Sequence, residues 1–266
     1  SAGDTKGTSP FALQESLKIP WNDADILEAV LEEHHDKIGM VLMEAIMCNF
    51  GCCPPRDGYL ERVRELCDIY DVVLCFDEVY TGFRVGLDGA QGKYQVTPDL
   101  SIFAKAMAGG LPLSAVVGKK NIMQLLREGT VLGGGTFNSF PLAMAAAVTT
   151  IDMLERDDQA YYQSVDRIQN ILMEGIREVA TKHGQPLFLQ GDRGVFYLDF
   201  LELDIAHTPE DLKDSNTEKL IRFRRHCHDE GVLIAAGSRV NVSGMLTDRD
   251  IDDTLAGIDN AIALLD

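Results

Sequence analysis

The hydrophobic positions between residues 22 and 127 switch between a helical period and short unbroken runs. Asn22-Asp23 precede Ile26, Leu27, Val30 and Leu31, the spacing of an amphipathic helix behind a polar N-cap. Residues 38–46 are mostly apolar and run up to Glu44, which predicts a buried strand. Cys52-Cys53-Pro54-Pro55 ends that run, since proline cannot donate to a strand ladder. Residues 59–70 place Leu60, Val63, Leu66 and Cys67 on one helical face. Val72-Val73-Leu74-Cys75-Phe76 then runs straight into Asp77-Glu78-Val79. This reads as a strand buried on both faces with acids at its carboxyl end. Strand, helix, strand predicts a right-handed crossover and a parallel pair. Residues 81–98 carry glycine at 82, 86, 89 and 92 and predict a long irregular connection, of the kind used for functional loops or lids. Residues 100–104, ending in Lys105, and residues 113–117 predict two more strands, joined by a turn at Gly109-Gly110-Leu111-Pro112. Residues 121–127 predict a short helix.

Beyond residue 133 the pattern lengthens. Gly133-Gly134-Gly135-Thr136 predicts a flexible loop, and Pro141 opens a helix at its first position. Residues 143–154 are rich in Ala and Met and predict close packing. Asp157-Asp158 marks a break, and residues 165–183 a second long amphipathic helix. Residues 194–201 and 232–236 read as strands. Ser215-Asn216-Thr217-Glu218 reads as a capping box for a helix that Gly231 ends, and Thr247 caps a last helix over 248–265. The expected architecture is α/β. Residues 1–157 would form a large domain with a mostly parallel sheet, and residues 158–266 a smaller C-terminal α+β domain.

Composition narrows the function. The chain has 266 residues, 45% of them hydrophobic and 25% charged, as in an ordinary globular protein. Its net charge of −18 argues against a nucleic-acid groove, which needs clustered Lys and Arg. No apolar run is long enough to span a membrane, and no charged-then-apolar leader opens the sequence. The first residue is Ser1, and residues 1–10 are polar, so a processed or shortened piece of a longer protein is expected. Cysteines stand at 48, 52, 53, 67, 75 and 227; at this length reduced thiols and a cytoplasmic location are expected. Cys48, Cys52 and Cys53 lack a second ligand pair at metal spacing, so no metal is expected.

Asp77 and Lys105 stand at the ends of two strands expected to be neighbours, where ligands bind in open α/β sheets. A buried carboxylate needs a partner, and a cationic ring nitrogen would serve. A desolvated lysine becomes a nucleophile toward an aldehyde. Pyridoxal 5'-phosphate (PLP) meets both needs. Taken alone, Asp77 reads more readily as a capping residue and Lys105 as a surface lysine. A strand ending in Asp-Glu also suits a nucleotide-binding ATPase, although no Gly-x-x-x-x-Gly-Lys-Ser/Thr stretch accompanies it.

Longer motifs separate these readings. Phe76-Asp77-Glu78-Val79-Tyr80-Thr81-Gly82-Phe83-Arg84 resembles the DEV-x-TGFR signature of class III, fold-type I PLP-dependent aminotransferases. Thr97-Pro98-Asp99-Leu100, Lys105 and Gly109-Gly110-Leu111-Pro112 resemble that family's lysine segment. Glu44, Asn49, Gly51 and Pro54-Pro55 resemble its EP…GN-G…PP stretch, and Gly135-Thr136-Phe137-Asn138 with Pro141 its GTF-x-x-NP loop. The subgroup that the chain resembles is the glutamate semialdehyde aminomutase-like one. The resemblance implies ping-pong amino transfer, through a Schiff base on Lys105, between an amine or amino acid and a keto acid or aldehyde. It implies that Lys105 shuttles the proton, Asp77 holds the ring nitrogen protonated and Val79 packs on the ring. Thr136 would bind the phosphate of a neighbouring subunit's cofactor in a homodimer, and Asn49 would lie near the ring hydroxyl. Arg239 is a candidate for a substrate carboxylate.

The sequence departs from the family pattern in three places. The family's N-terminal portion, with its phosphate-binding helix start and ring-stacking aromatic residue, has no match. Phe140 replaces the usual Asn before Pro141. Residues 235–241 are shorter than the aminomutase pattern and lack its Glu. Intramolecular aminomutase chemistry and a non-catalytic dimerising homologue are therefore the alternatives.

Overall fold

The computed structural model describes Ser9, Phe11 and residues 14–265. The polar opening segment lies outside the described residues apart from Ser9. A four-stranded sheet runs in the order β1 (Met40–Met43), β2 (Val73–Glu78), β3 (Leu100–Phe103) and β4 (Ala115–Gly118). The first three strands are parallel, with Met43 opposite Phe76 and Asp77 opposite Ile102. β4 returns antiparallel, Leu100 facing Gly118. Helix α1 (Ala24–His34) starts where the Asp23 carboxylate accepts the Ile26 N–H at 3.0 Å, and packs on α2 (Tyr59–Ile69), which covers β2. Leu74, Cys75 and Phe76 are accordingly buried.

Two expectations for this half need correction. β1 is not a buried strand over 38–46. It has four residues and pairs only with β2, so Met40 and Leu42 are 46% and 55% exposed on an uncovered face. Residues 81–98 are not an open lid. Val85, Ala90 and Val96 are buried in the core, and the segment contains helix α3 (Gly89–Tyr94).

After α4 (Lys120–Arg127), one long helix, α5, spans Pro141–Lys182. It breaks at Arg156, after which Asp157, Asp158 and Gln159 hold left-handed φ values of 50°, 51° and 61°. The proposed domain division at 157/158 falls in this break. The first part of α5 is packed on one face only. Ala143, Ala147 and Leu154 are buried, whereas Leu142, Met144, Val148 and Met153 face outward.

A second, antiparallel sheet follows, formed by β5 (Phe188–Asp192), β6 (Val195–Asp199) and β7 (Arg239–Asn241). It lies between two hydrophobic cores. Phe188, Val195 and Tyr197 join Leu66 and Phe76, while Leu189, Phe196 and Leu198 join Ile168, Phe223 and Ile258. This placement brings β7 to the first sheet. The strand expected over 232–236 is absent. Gly237 and Ser238 turn the chain at positive φ, and the ladder to β6 is taken by residues 239–241. Helix α6 (Thr217–Asp229) is capped by Asn216, whose side chain accepts the Lys219 N–H, so the expected box at Ser215 is displaced by one residue. Helix α7 (Asp248–Ala263) has a reciprocal capping box between Thr247 and Asp250. All six cysteines are buried and free.

Candidate active site

Three parallel strands in register end together, and their carboxyl edge gathers the candidate residues. Glu44 follows β1 directly, Asp77 is the penultimate residue of β2, and Lys105 follows β3 after Ala104. The Lys105 backbone is left-handed, with φ 46°, and opens a short 3-10 turn, Lys105–Ala108. This turn carries the lysine amine over the Tyr80 ring, 4.8 Å from its centroid. Loss of solvent lowers the Lys105 pKa. The Asp77 carboxylate opposes that shift, and the Arg84 and Arg239 guanidiniums reinforce it.

Asp77 is half-buried. One of its oxygens accepts the Val79 N–H at 2.9 Å. Among the described residues no cation lies within ion-pair distance of it. Glu44 is the second acid of the edge. Burial raises its pKa and the charge on Asp77 adds to this, while hydrogen bonds from Asn49 and Cys48 oppose. Asn49 is a bridge: its Nδ2 donates to Glu44 Oε1 at 2.9 Å, and its Oδ1 accepts from Arg239 Nη1 at 2.6 Å. Arg239 opens β7, and its guanidinium lies 5.1 Å from the Tyr80 centroid. Tyr80 Oη donates to Asn241 Oδ1 at 2.6 Å, which ties the second sheet to the edge of the first.

Lys105, Asp77, Asn49 and Arg239 therefore come together. Val79 stands one residue beyond β2, half-buried beside Asp77. Thr136 lies apart, on a fully exposed loop, and no hydrogen bond or ion pair among the described residues ties it to the cluster. Sequence reasoning assigned no site role to Tyr80, Arg84, Glu44 or Asn241. The first two lie in the DEV-x-TGFR stretch and Glu44 in the EP-like stretch, but nothing local marks Asn241.

Glu78 supports the edge from below. It is fully buried and accepts from Thr81 Oγ1 at 2.5 Å, the Ala90 N–H at 2.9 Å and the Gln91 N–H at 2.8 Å, so it caps α3 from the preceding strand. Glu78→Ala would strand these donors and is expected to cost about 2–3 kcal/mol in chemical unfolding. Gly89→Ala is expected to destabilise as well, because φ is +65° and a Cβ would stand 2.7 Å from Glu78 Oε2.

The donor set fits the reactive end of PLP: a carboxylate without a cation, and a lysine whose pKa is lowered beside it.

Comparison with known proteins agrees. Residues 8–262 match the family model described as aminotransferase class-III. A glutamate-1-semialdehyde 2,1-aminomutase from Methanococcus maripaludis is 35% identical over 235 residues, covering 88% of this chain and 54% of that protein. The crystal structure of an omega-transaminase from Sphaerobacter thermophilus superposes with a TM-score of 0.90 at 26% identity, over 98% of this chain and 60% of that one. A glutamate-1-semialdehyde aminomutase from Pseudomonas aeruginosa PAO1 shares the fold, with a TM-score of 0.83 at 21% identity over 97% of this chain and 59% of that one. The fold is that of the PLP-dependent transferases. The chain belongs to the class-III aminotransferase family, whose cofactor is PLP. It spans about half the length of the curated relative it matches. Among the described residues no helix is long and apolar enough to cross a membrane.

Proposed function

We propose that this chain carries the lysine-bearing part of a PLP-dependent aminotransferase, which moves an amino group between an amine or amino acid and a keto acid or aldehyde. The observation that carries this reading is the pairing of Lys105 and Asp77 at adjacent strand ends, the acid without a cation and the amine with a lowered pKa. When bound, PLP supplies an aldehyde for a lysine and a ring that withdraws electrons from the substrate carbon.

The residues of the chain supply the rest. Lys105 would hold the cofactor through its Nζ and would serve as the base for the substrate α-carbon proton. Asp77 would hold the ring nitrogen protonated, and Val79 would help hold the ring. The Asn49 amide keeps one hydrogen for the ring hydroxyl after its bonds to Glu44 and Arg239. Arg239 binds a substrate carboxylate. In a homodimer, Thr136 on its exposed loop would help hold the phosphate of the neighbouring subunit's cofactor. Asp77→Asn is expected to lower kcat by about 100-fold or more with little change in KM, since an amide cannot hold that proton.

The test is an absorbance scan with added PLP. Expected are a band near the visible edge and, after borohydride treatment, a mass label on the peptide containing Lys105. With neither band nor label, the chain is a non-catalytic homologue. Intramolecular transfer, the second reading, is favoured by the 35% identical aminomutase. It predicts turnover without an added keto acid, whereas transfer between two substrates stops at one equivalent.

A further inference from the structure

Cys48, Cys52 and Cys53 share one loop, while Cys67, Cys75 and Cys227 stand in α2, β2 and α6. Met47 and Cys53 pair as an antiparallel bridge, the Met47 N–H donating to the Cys53 carbonyl at 3.0 Å, and residues 48–52 turn between them. Cys48 and Cys52 are the next positions inward on the two sides of that bridge. The Cys48 thiol donates to the Cys52 sulfur, and Cys52 Sγ lies 3.8 Å from the Cys48 carbonyl. Cys53 is engaged elsewhere, its Sγ donating to the Phe50 carbonyl at 3.2 Å. Facing residues of an antiparallel pair have Cβ atoms about 4.5–5.5 Å apart, and a disulfide needs about 3.5–4.5 Å, so joining Cys48 to Cys52 asks for a shift on the order of 1 Å. Both thiols are buried, yet they lie behind a solvent-facing turn, where Phe50 is 60% exposed. The loop is held at both ends of the edge. The Cys48 N–H donates to Glu44 Oε2 at 3.0 Å and its carbonyl accepts from Arg239 Nη1, while Gln190 Nε2 donates to the Gly51 and Cys52 carbonyls at 3.0 and 3.4 Å.

We propose that Cys48 and Cys52 are a dithiol modification site, which a small peroxide closes to a disulfide across the loop that carries Asn49. The Cys52 sulfur attacks one peroxide oxygen; an S–O bond forms, the O–O bond breaks, and the leaving oxygen takes up the thiol proton as water or an alcohol. The Cys48 sulfur then attacks the Cys52 sulfur; the S–S bond forms, the S–O bond breaks, and hydroxide leaves with the Cys48 proton as water. The two sulfurs lose two electrons and the peroxide gains them. Cys52 reacts first because the bond to Cys52 and burial push the Cys48 pKa up and keep that thiol protonated. Burial slows the first step, and contact between the sulfurs speeds the second, ahead of further oxidation of Cys52. The inference stands apart from the amino-transfer reading, since no step uses Lys105, Asp77 or PLP.

The test treats the folded, unaltered chain with hydrogen peroxide, quenches with catalase, then unfolds, alkylates and digests it with trypsin. Residues 38–56 form one peptide holding Cys48, Cys52 and Cys53. Its alkylated cysteines are expected to fall from three to one, with the loss of two hydrogens, and to return to three after dithiothreitol. Fragmentation between Cys52 and Cys53 should release Cys53 with its label, which assigns the link without any variant. Cys53→Ser should keep the link, and Cys48→Ser should remove it and leave Cys52 to oxidise further. Met245, 77% exposed, serves as a clock through its conversion to the sulfoxide. Three alkylated cysteines once Met245 is fully converted overturn the proposal. So do a link that includes Cys53, a link between two chains, and sulfinic or sulfonic acid at Cys52 without a link in the unaltered chain.

Discussion

Lys105→Ala is expected to abolish the PLP absorbance band and to lower amino transfer by about 10⁴-fold or more. In the proposed function one side chain has two tasks, holding the cofactor and moving the α-carbon proton, and no neighbour can take over either. Glu44 is held by Asn49 and Cys48, and a guanidinium has no acceptor for a proton. An added small amine such as methylamine is expected to restore part of the rate, which separates a missing base from a misfolded protein. In the unaltered protein the rate should rise with pH and level off below the pH at which an ordinary lysine loses its proton, since the Lys105 pKa is lowered. Removal of the Arg84 charge takes away one cause of that lowering, so Arg84→Gln should move the rise to higher pH.

Asp99→Ala is expected to cost about 3 kcal/mol in chemical unfolding at neutral pH. Asp99 is buried at the start of β3. It accepts from the Leu74 N–H at 2.7 Å and from Arg64 at 2.9 Å, and pairs with Lys119 at 2.6 Å. Lys119 is half exposed and adds little; the loss comes from Arg64 and the Leu74 N–H left without their acceptor. Burial by itself would raise the Asp99 pKa, but the bonds from Lys119, Leu74 and Arg64 outweigh it and hold the pKa below the ordinary value. A depressed carboxylate pKa contributes stability above the unfolded value, near pH 4, and loses it as the pH falls through the folded one. Stability of the unaltered protein should therefore drop on acidification in a step that Asp99→Ala lacks. Asp99 also clamps β3 to β2, and so fixes the register that sets Lys105 beside Asp77.

Part of this site is legible in the sequence because its chemistry is local. An apolar run ending in Asp77, and a second ending near Lys105, carry both the strand and the acid or amine at its tip. What escapes is long-range or lacks a periodic signal. Tyr80 meets Arg239 and Asn241 only because the second sheet is wedged between the two cores, a placement that no spacing within residues 76–84 encodes. β5 contains Gln190 and Gly191 and so does not read as a strand, and β7 has three residues, too few for a period. The apolar run 232–236 gives a false strand because Ile234 is buried as part of a loop. The glycines of 81–98 read as a long irregular connection, while the acid that caps α3 sits eleven residues upstream of Gly89, in Glu78.

The left-handed backbone at Lys105 has a consequence for the history of the chain. A side chain there costs roughly 1–2 kcal/mol that glycine would not incur. Alanine at 105 would keep that strain and glycine would release it, so two equally inactive variants should differ in folding stability. A lineage that no longer needed the amine would drift toward residues that relax this backbone. On the proposed function, lysine at 105 would be a record of use, kept for its amine against the preference of the fold.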